Sequence, residues 1–186
     1  HALMEFFSPE VARALFADHG TFDYITMTNV FAHIEDFSAL CEALEILIGP
    51  KTLVVIENHY LGSVLALNQF DTFYHEHPRT YSAESFRYVS EKLGCPIADI
   101  KFPKRYGGNI RVSMSRELDL KKPAVVFPEE SWIPEAMVNL QGFYENWKSS
   151  TRVALEELGL RGSVAGKALP GRAVMLISSL GISEKL

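Results

Sequence analysis

The segment 73–77, FYHEH, concentrates the side chains of this sequence that are best suited to moving protons or binding a metal. A metal site could use the imidazoles of His75 and His77, but such a pair usually needs a third ligand, and none is obvious nearby. Alternatively, a carboxylate such as Glu76 tunes a histidine into a base near neutral pH, with Tyr74 donating to an oxygen that gains charge. A solvated loop or helix cap uses the same residue types, so all three interpretations stay open.

Polar residues also lie at the ends of two predicted strands. Asn29 follows the aromatic and β-branched run 22–27, and Glu57 ends the apolar run 52–57. Ligands of open α/β sheets bind at the carboxyl ends of the strands. Asn29 could equally cap the helix that follows, and Glu57 could be an ordinary surface acid. His33 is four residues from Asn29 and could share a helical face with it, although a lone histidine is more often structural.

The segment 106–111, YGGNIR, is a further candidate. Its paired glycines could let the backbone approach a phosphate, with Arg111 or Lys104 as the counter-charge. A plain glycine-rich β-hairpin is the alternative, and the local pattern favours it.

The first half of the chain predicts a βαβ crossover. Ser8-Pro9-Glu10 predicts a helix running to Gly20. Buried strands are predicted at 22–27 and 52–57, the second apolar enough to be covered on both faces. Between them, apolar residues at spacings of three and four predict one helix over 30–48, ended by Gly49-Pro50.

The second half predicts an antiparallel edge and a further domain. A short helix is predicted around 64–70, and a helix capped by Ser82, with Glu84 or Ser85 completing the cap, ends at Gly94. Strands at 97–102 and 109–115 form a hairpin, which makes the sheet mixed. A linker at 121–128, a long helix at 134–160, a strand at 162–166, a KALPG loop and a final helix follow. We therefore expect an α/β fold with a domain boundary near residue 128.

Composition points to a globular protein with a small-molecule partner. Of 186 residues, 47% are hydrophobic and 22% charged, and the net charge is -5. This balance favours neither nucleic acid nor an anionic membrane as a partner, and neither a membrane span nor a targeting signal is evident. Cys41 and Cys95 are too few for a disulfide framework or a thiolate zinc site, which suits a cytoplasmic location.

In their order along the chain, FDYITMTNVFAHIEDF, LVVIENHYLGSVLALNQFDTFYHEHPRTYS and RYGGNIRV resemble the NDP-sugar C-methyltransferases. These are class I S-adenosylmethionine-dependent enzymes that methylate a keto sugar. The pairing of NVFAHI with FDTFYHEH is specific, and VAGKALPGRAVMLISSLGI is similar to the start of the family's C-terminal domain. The resemblance implies a Rossmann-like methyltransferase sheet lacking its N-terminal half in residues 1–128. Residues 129–186 would then be a linking helix and the start of a second Rossmann-like domain.

The resemblance also implies roles for individual residues. His77 would take the proton from the carbon beside the keto group, helped by Tyr74 and Glu76, and no metal would be needed. The cofactor S-adenosylmethionine would bind beside Asn29, Val30 and His33. The nucleotide-linked keto sugar would contact the remaining candidates, which are Glu57, Tyr60, Lys104, Gly108, Asn109 and Arg111.

The sequence departs from the family in two ways. The N-terminal zinc-binding domain with paired cysteines is absent, and no Gly-x-Gly occurs in the 186 residues. We therefore expect an internal part of a longer enzyme that by itself binds the cofactor poorly. Two rival hypotheses are a non-catalytic sugar-nucleotide-binding module and a metal-dependent hydrolase that uses the histidines and glutamate of FYHEH.

Overall fold

A mixed four-stranded sheet organises the chain, whose computed structural model describes residues 2–117, 124–167 and 170–182. The strand order is β1-β2-β4-β3. β1 runs parallel to β2, whereas β4 is antiparallel to both β2 and β3. The predicted antiparallel edge is therefore confirmed. The strands are β1 (Phe22–Thr28), β2 (Ile48–His59), β3 (Ile97–Lys101) and β4 (Asn109–Met114).

Helix α1 (Pro9–His19) and helix α2 (Phe37–Leu47) precede and connect the two parallel strands. The Ser8 side chain accepts a hydrogen bond from the amide of Val11, which caps α1 as the sequence predicts. Because β1, α2 and β2 follow one another with parallel strands, the predicted βαβ crossover is confirmed.

The single helix predicted over 30–48 is wrong. A 3-10 turn, Phe31–His33, comes first, and α2 starts only after Asp36, whose carboxylate accepts from the amide of Ala39. The guanidinium of Arg79 donates to the carbonyls of Ile34 and Glu35 between the two helices, at 2.6 and 2.7 Å. The Arg79 guanidinium and the Asp36 carboxylate thus form hydrogen bonds with backbone groups that would bond to one another in a continuous helix. β2 also starts earlier than predicted, at Ile48, and continues past the predicted end at Glu57 to His59.

The burial predicted for β1 is wrong too. Tyr24, in the middle of the strand, is 71% exposed. Within the described residues β1 pairs with β2 alone, so it lies at an edge of the sheet. An apolar run is consistent with full burial but does not establish whether a neighbouring strand is present.

Two helices flank the FYHEH segment. Helix α3 (Leu61–Ala66) begins earlier than the helix predicted around 64–70, and a 3-10 turn, Phe70–Thr72, follows it. Helix α4 (Ala83–Leu93) is capped by Ser82 and Ser85, each of which bonds to the backbone of the other. Of the two predicted alternatives, Ser85 rather than Glu84 therefore completes the cap. The connection between β2 and α4 is therefore ordered by short helical turns.

The core lies between the sheet and helices α2 and α4. Phe31, Phe86 and Tyr81 form its aromatic part, with ring centroids 5.1 to 6.3 Å apart. Strand residues from β2 and β4 cover them, among them Val54, Ile56, Ile110, Val112 and Met114, all fully buried. The 3-10 turn that carries His33 is therefore fixed to the centre of the core by Phe31.

Two C-terminal helices complete the described chain. Helix α5 (Ile133–Gly159) confirms the long helix, and helix α6 (Gly171–Leu180) confirms the last one. Residues 162–166 form no strand, so that prediction is wrong; their small, exposed side chains give a strand little apolar surface to bury. Of the predicted linker and loop, residues 121–123 and 168–169 lie outside the described residues. In the part of the chain that the structure describes, no helix is long and apolar enough to cross a membrane.

Candidate active site

A small cavity of about 30 Å³ lies where β1 and β2 reach their carboxyl ends. It is large enough for a carbonyl group or one or two waters rather than for a whole sugar. Three of the predicted site residues, Asn29, His33 and His77, line it together. The other six lining residues are Ala32, Asn58, His59, Thr72, Arg79 and Thr80.

The turn after β1 brings Asn29 and His33 to this cavity. Asn29 adopts a left-handed backbone conformation, with φ 52°, which asparagine tolerates better than most residues. Its amide donates to the carbonyl of Glu57 at 2.8 Å, so the ends of β1 and β2 stay in register. The 3-10 turn then places the ring of His33 4.7 Å from that of His77, centroid to centroid.

The protonation of His77 follows from its backbone contact. Its Nδ1 lies 3.0 Å from the carbonyl oxygen of Thr72. A carbonyl can only accept, so Nδ1 carries the hydrogen and Nε2 carries the free lone pair. Burial lowers the pKa of His77, the Thr72 carbonyl opposes this, and the charges of His33 and Arg172 lower it further. The ring is therefore a neutral imidazole with a basic ε nitrogen.

Tyr74 and Glu76 form a pair beside His77. The Tyr74 hydroxyl donates to a carboxylate oxygen of Glu76 at 3.0 Å, and the Tyr74 ring lies 4.6 Å from that of His77. Burial, and then this carboxylate, raise the pKa of Tyr74. Gly171, the first residue of α6, packs on the pair, since a Cβ there would lie 3.1 Å from the Tyr74 ring. Tyr74 therefore keeps its proton and can donate it in a hydrogen bond.

His75 points elsewhere. Its side chain is 78% exposed, and its Nε2 is 3.9 Å from Glu76. Among residues 2–117, 124–167 and 170–182, no three histidine, cysteine, aspartate or glutamate side chains converge to hold a metal. The hypothesis of a metal-dependent hydrolase therefore has no support from the described residues.

Glu57 is the most buried charge near the site. Only 2% of it is exposed, and it accepts hydrogen bonds from Asn109 at 2.9 Å and from Arg111 at 2.6 Å. Burial by itself would raise the pKa of Glu57, but these hydrogen bonds and the arginine charges outweigh burial and lower it. Arg111 therefore neutralises the Glu57 carboxylate within the fold and Asn109 adds a hydrogen bond, while the contact of these residues with a substrate stays a prediction.

The other predicted substrate residues lie away from the cavity. The Tyr60 hydroxyl donates to Glu130 at 2.9 Å. A Cβ at Gly108 would overlap the side chain of Ser63, so the space beside this glycine is occupied by the chain itself. This packing favours the hairpin interpretation of the glycine pair over a phosphate-binding one. Lys104 lies in the same turn, and its role too stays a prediction.

Among the residues at or beside the cavity that sequence reasoning missed are Asn58, His59, Thr72 and Arg172. Asn58 and His59 follow Glu57 at the carboxyl end of β2, where the rule that identified Asn29 applies equally. Thr72 lies in the second 3-10 turn. Arg172, from α6, had no local signal, because its partner Asp71 is 101 residues away in sequence.

Two of these residues suggest a bound polar group. Neither polar atom of the Asn58 side chain, nor the hydroxyl of Thr72, has a hydrogen-bond partner among the described residues, and each side chain is 1% exposed. Buried polar groups in folded proteins nearly always have a partner. The cavity they line is therefore chemically suited to an oxygen-bearing ligand group.

Comparison with known proteins identifies the family of this chain. Residues 4–99, just over half of the chain, match the family described as "Methyltransferase domain". The chain belongs to this methyltransferase family. It is also 32% identical over 192 aligned residues to the C-methyltransferase NovU of Streptomyces niveus. The alignment covers 96% of this chain but 45% of NovU, so the chain spans less than half the length of that relative.

Family membership implies S-adenosylmethionine as the methyl donor. Of the residues predicted to bind it, Asn29 and His33 line the cavity and Val30 is 49% exposed beside Asn29, so their contact with the cofactor stays a prediction. A Gly-x-Gly turn, which often supports such a cofactor in Rossmann-like folds, is missing from the sequence.

The histidine cluster should make the stability of the methyltransferase depend on pH. Burial and the charges of Arg172 and His77 lower the pKa of His59 from 6.5 to about 4, although Asp71 opposes this. The unfolded chain therefore binds protons that the folded chain rejects, and the free energy of unfolding falls as the pH drops from 6.5 to 4. Urea unfolding at several pH values should show this slope, and His59→Gln should flatten it. An unchanged slope in that variant would assign the effect to other groups.

Proposed function

We propose that this methyltransferase transfers a methyl group to a carbon beside the keto group of a nucleotide-linked sugar, with His77 as the base. The observation that carries the proposal is the placement of His77. Its ring, with Nδ1 occupied by a backbone carbonyl, lines the same cavity as Asn29 and His33. The name of the relative NovU, a C-methyltransferase, supports carbon as the methylated atom.

The chemistry requires a base and an oxygen-binding group together. A C–H bond beside a carbonyl is acidic only if the enolate oxygen is stabilised as it forms. His77 Nε2 takes the proton, the electron pair of the C–H bond moves into the enolate, and its oxygen gains the charge. S-adenosylmethionine, when bound, would supply an electrophilic methyl group to the enolate carbon, its S–CH3 bond breaking with the electron pair kept by the sulfur. His77 later releases its proton to solvent.

Tyr74 and Glu76 assist this base. In this proposal the Tyr74 hydroxyl, whose ring contacts that of His77, turns from Glu76 to donate to a substrate oxygen. Glu76 keeps that hydroxyl oriented in the meantime. Alignment of the enolate carbon with the donor methyl would supply several further kcal/mol, on the order of 7 for well-oriented reactants.

The domain organisation that the family resemblance implies is also part of the proposal. Residues 1–128 form part of a Rossmann-like catalytic domain, and residues 129–186 form a linking helix and the start of a second Rossmann-like domain. The contact of α6 with Tyr74 supports a role for the second part in completing the sugar site.

Hydrogen exchange is the direct test. The protein that carries this chain is incubated in D2O with a nucleotide-linked keto deoxysugar, with and without S-adenosylmethionine, and analysed by mass spectrometry and NMR. We expect deuterium at the carbon beside the ketone, and a new C–CH3 group there once the methyl donor is added. Methylation on oxygen or nitrogen would contradict the proposal. Sugar-nucleotide binding without exchange or methylation would instead support the non-catalytic binding module.

A further inference from the structure

We propose that His59 is the hydrogen-bond donor to the enolate oxygen, and that Arg172 fixes the tautomer in which Nε2 of His59 carries the hydrogen. The inference rests on the proposed function, because it assigns a second catalytic residue to the same cavity. It also assigns a positioning residue on α6, a helix remote in sequence.

The contact between Arg172 and His59 determines which ring nitrogen carries the hydrogen. The guanidinium nitrogen Nη2 of Arg172 lies 3.4 Å from His59 Nδ1. A guanidinium has only donors, so Nδ1 must be the acceptor, and in the neutral ring the hydrogen is then on Nε2. His59 therefore presents an N–H donor on the side of its ring away from Arg172.

His59 and His77 are thus complementary. The Thr72 carbonyl leaves a free lone pair on Nε2 of His77, whereas the Arg172 guanidinium leaves a hydrogen on Nε2 of His59. The two ring centroids are 5.7 Å apart, and both rings line the cavity. A base and a donor at this separation suit a C–H and the neighbouring carbonyl oxygen of one substrate.

The charges around His59 keep it neutral, as this role requires. The fixed positive charge of Arg172 opposes a second positive charge on the imidazole, and Asp71 holds the guanidinium from the other side at 3.4 Å. A neutral imidazole donates to an enolate oxygen without giving up its proton. The proton taken from carbon therefore goes to His77 alone, and the oxygen receives only a hydrogen bond.

The buried amide of Asn58 is the second observation at this site. Asn58 lines the cavity and is 1% exposed, and neither of its side-chain polar atoms has a partner among the residues the structure describes. The amide nitrogen is a further donor next to His59 in the sequence and in the cavity. A substrate oxygen held here would be stabilised by two neutral donors, as in other oxyanion sites.

The tautomer can be measured without substrate. Long-range 1H–15N correlation of the histidine rings at neutral pH should show the hydrogen of His59 on Nε2 and that of His77 on Nδ1. Arg172→Met should let the His59 tautomer change while leaving that of His77 unchanged. A hydrogen on Nδ1 of His59 in the wild-type protein would overturn the proposal, whatever the activity.

Exchange kinetics test the catalytic role. His59→Phe removes the donor, and we expect deuterium exchange and methyl transfer both to fall about 10²- to 10³-fold with substrate affinity little changed. His59→Gln keeps an N–H at the ε position and should recover much of the rate. Wild-type exchange in His59→Phe would refute the role of His59.

The two proposals fail in different ways. If wild-type protein shows no exchange, the proposed function fails before His59 is tested. If exchange is lost in a His77 variant but kept in His59→Phe, the base assignment stands and the donor assignment falls. If His59→Phe does not fold, the tautomer measurement on the wild-type protein still decides.

Discussion

Replacing His77 by asparagine should reduce deuterium exchange at the sugar carbon about 10²- to 10⁴-fold, the usual contribution of a general base. Asparagine retains a side-chain N–H that can donate to the Thr72 carbonyl, as His77 Nδ1 does. It has no nitrogen lone pair to accept the proton. The local backbone should therefore be preserved while the chemistry is lost, and binding of the methyl donor should change little. Mass spectrometry of the exchanged sugar and calorimetry of donor binding measure the two effects.

His75→Asn is the matched control, because the same substitution is made two residues away in the same segment. The side chain of His75 is 78% exposed and does not line the cavity. We expect exchange within about twofold of wild type. Loss of activity in His75→Asn with retention in His77→Asn would reverse the assignment and revive a role for His75, including the metal-dependent one.

The second large effect is expected from Phe31, which fixes the site-bearing turn to the core. Phe31 is fully buried against Phe37, Tyr81 and Phe86. Phe31→Ala should lower the free energy of unfolding by about 3–5 kcal/mol, since it removes aromatic contacts and leaves a cavity. Urea denaturation followed by circular dichroism gives the value. Because domains are stable by only about 5–15 kcal/mol, this loss is a large part of the total stability.

Phe6→Ala serves as the control for the same side-chain deletion, because Phe6 is 97% exposed. Its unfolding free energy should stay within about 0.5 kcal/mol of wild type. Phe31→Leu keeps most of the buried volume and should cost less than Phe31→Ala. Similar losses for Phe31→Ala and Phe6→Ala would show that the turn does not depend on its aromatic anchor.

The elements of this chain could be predicted where local signals agree. Ser8-Pro9 and Ser82 mark helix starts that the structure confirms, because capping is a contact between near neighbours in sequence. The hairpin of β3 and β4 followed from its paired glycines. The helix over 30–48 failed because the local cap Asp36 was not used in the prediction and because Arg79, from a distant segment, binds the backbone at the interruption.

The candidate site likewise contains features that local sequence patterns predict and features that only the tertiary structure reveals. Sequence alone placed Asn29 and Glu57 at the ends of strands and His77 in a chemically capable segment, because each choice needs only residue type and local pattern. Only the tertiary structure decided that His77 rather than His75 lines the cavity, and that Arg172 reaches His59. Those outcomes depend on the direction of side chains within a turn and on the docking of α6. Neither is encoded in spacing along the chain, since both are set by packing between segments far apart in sequence.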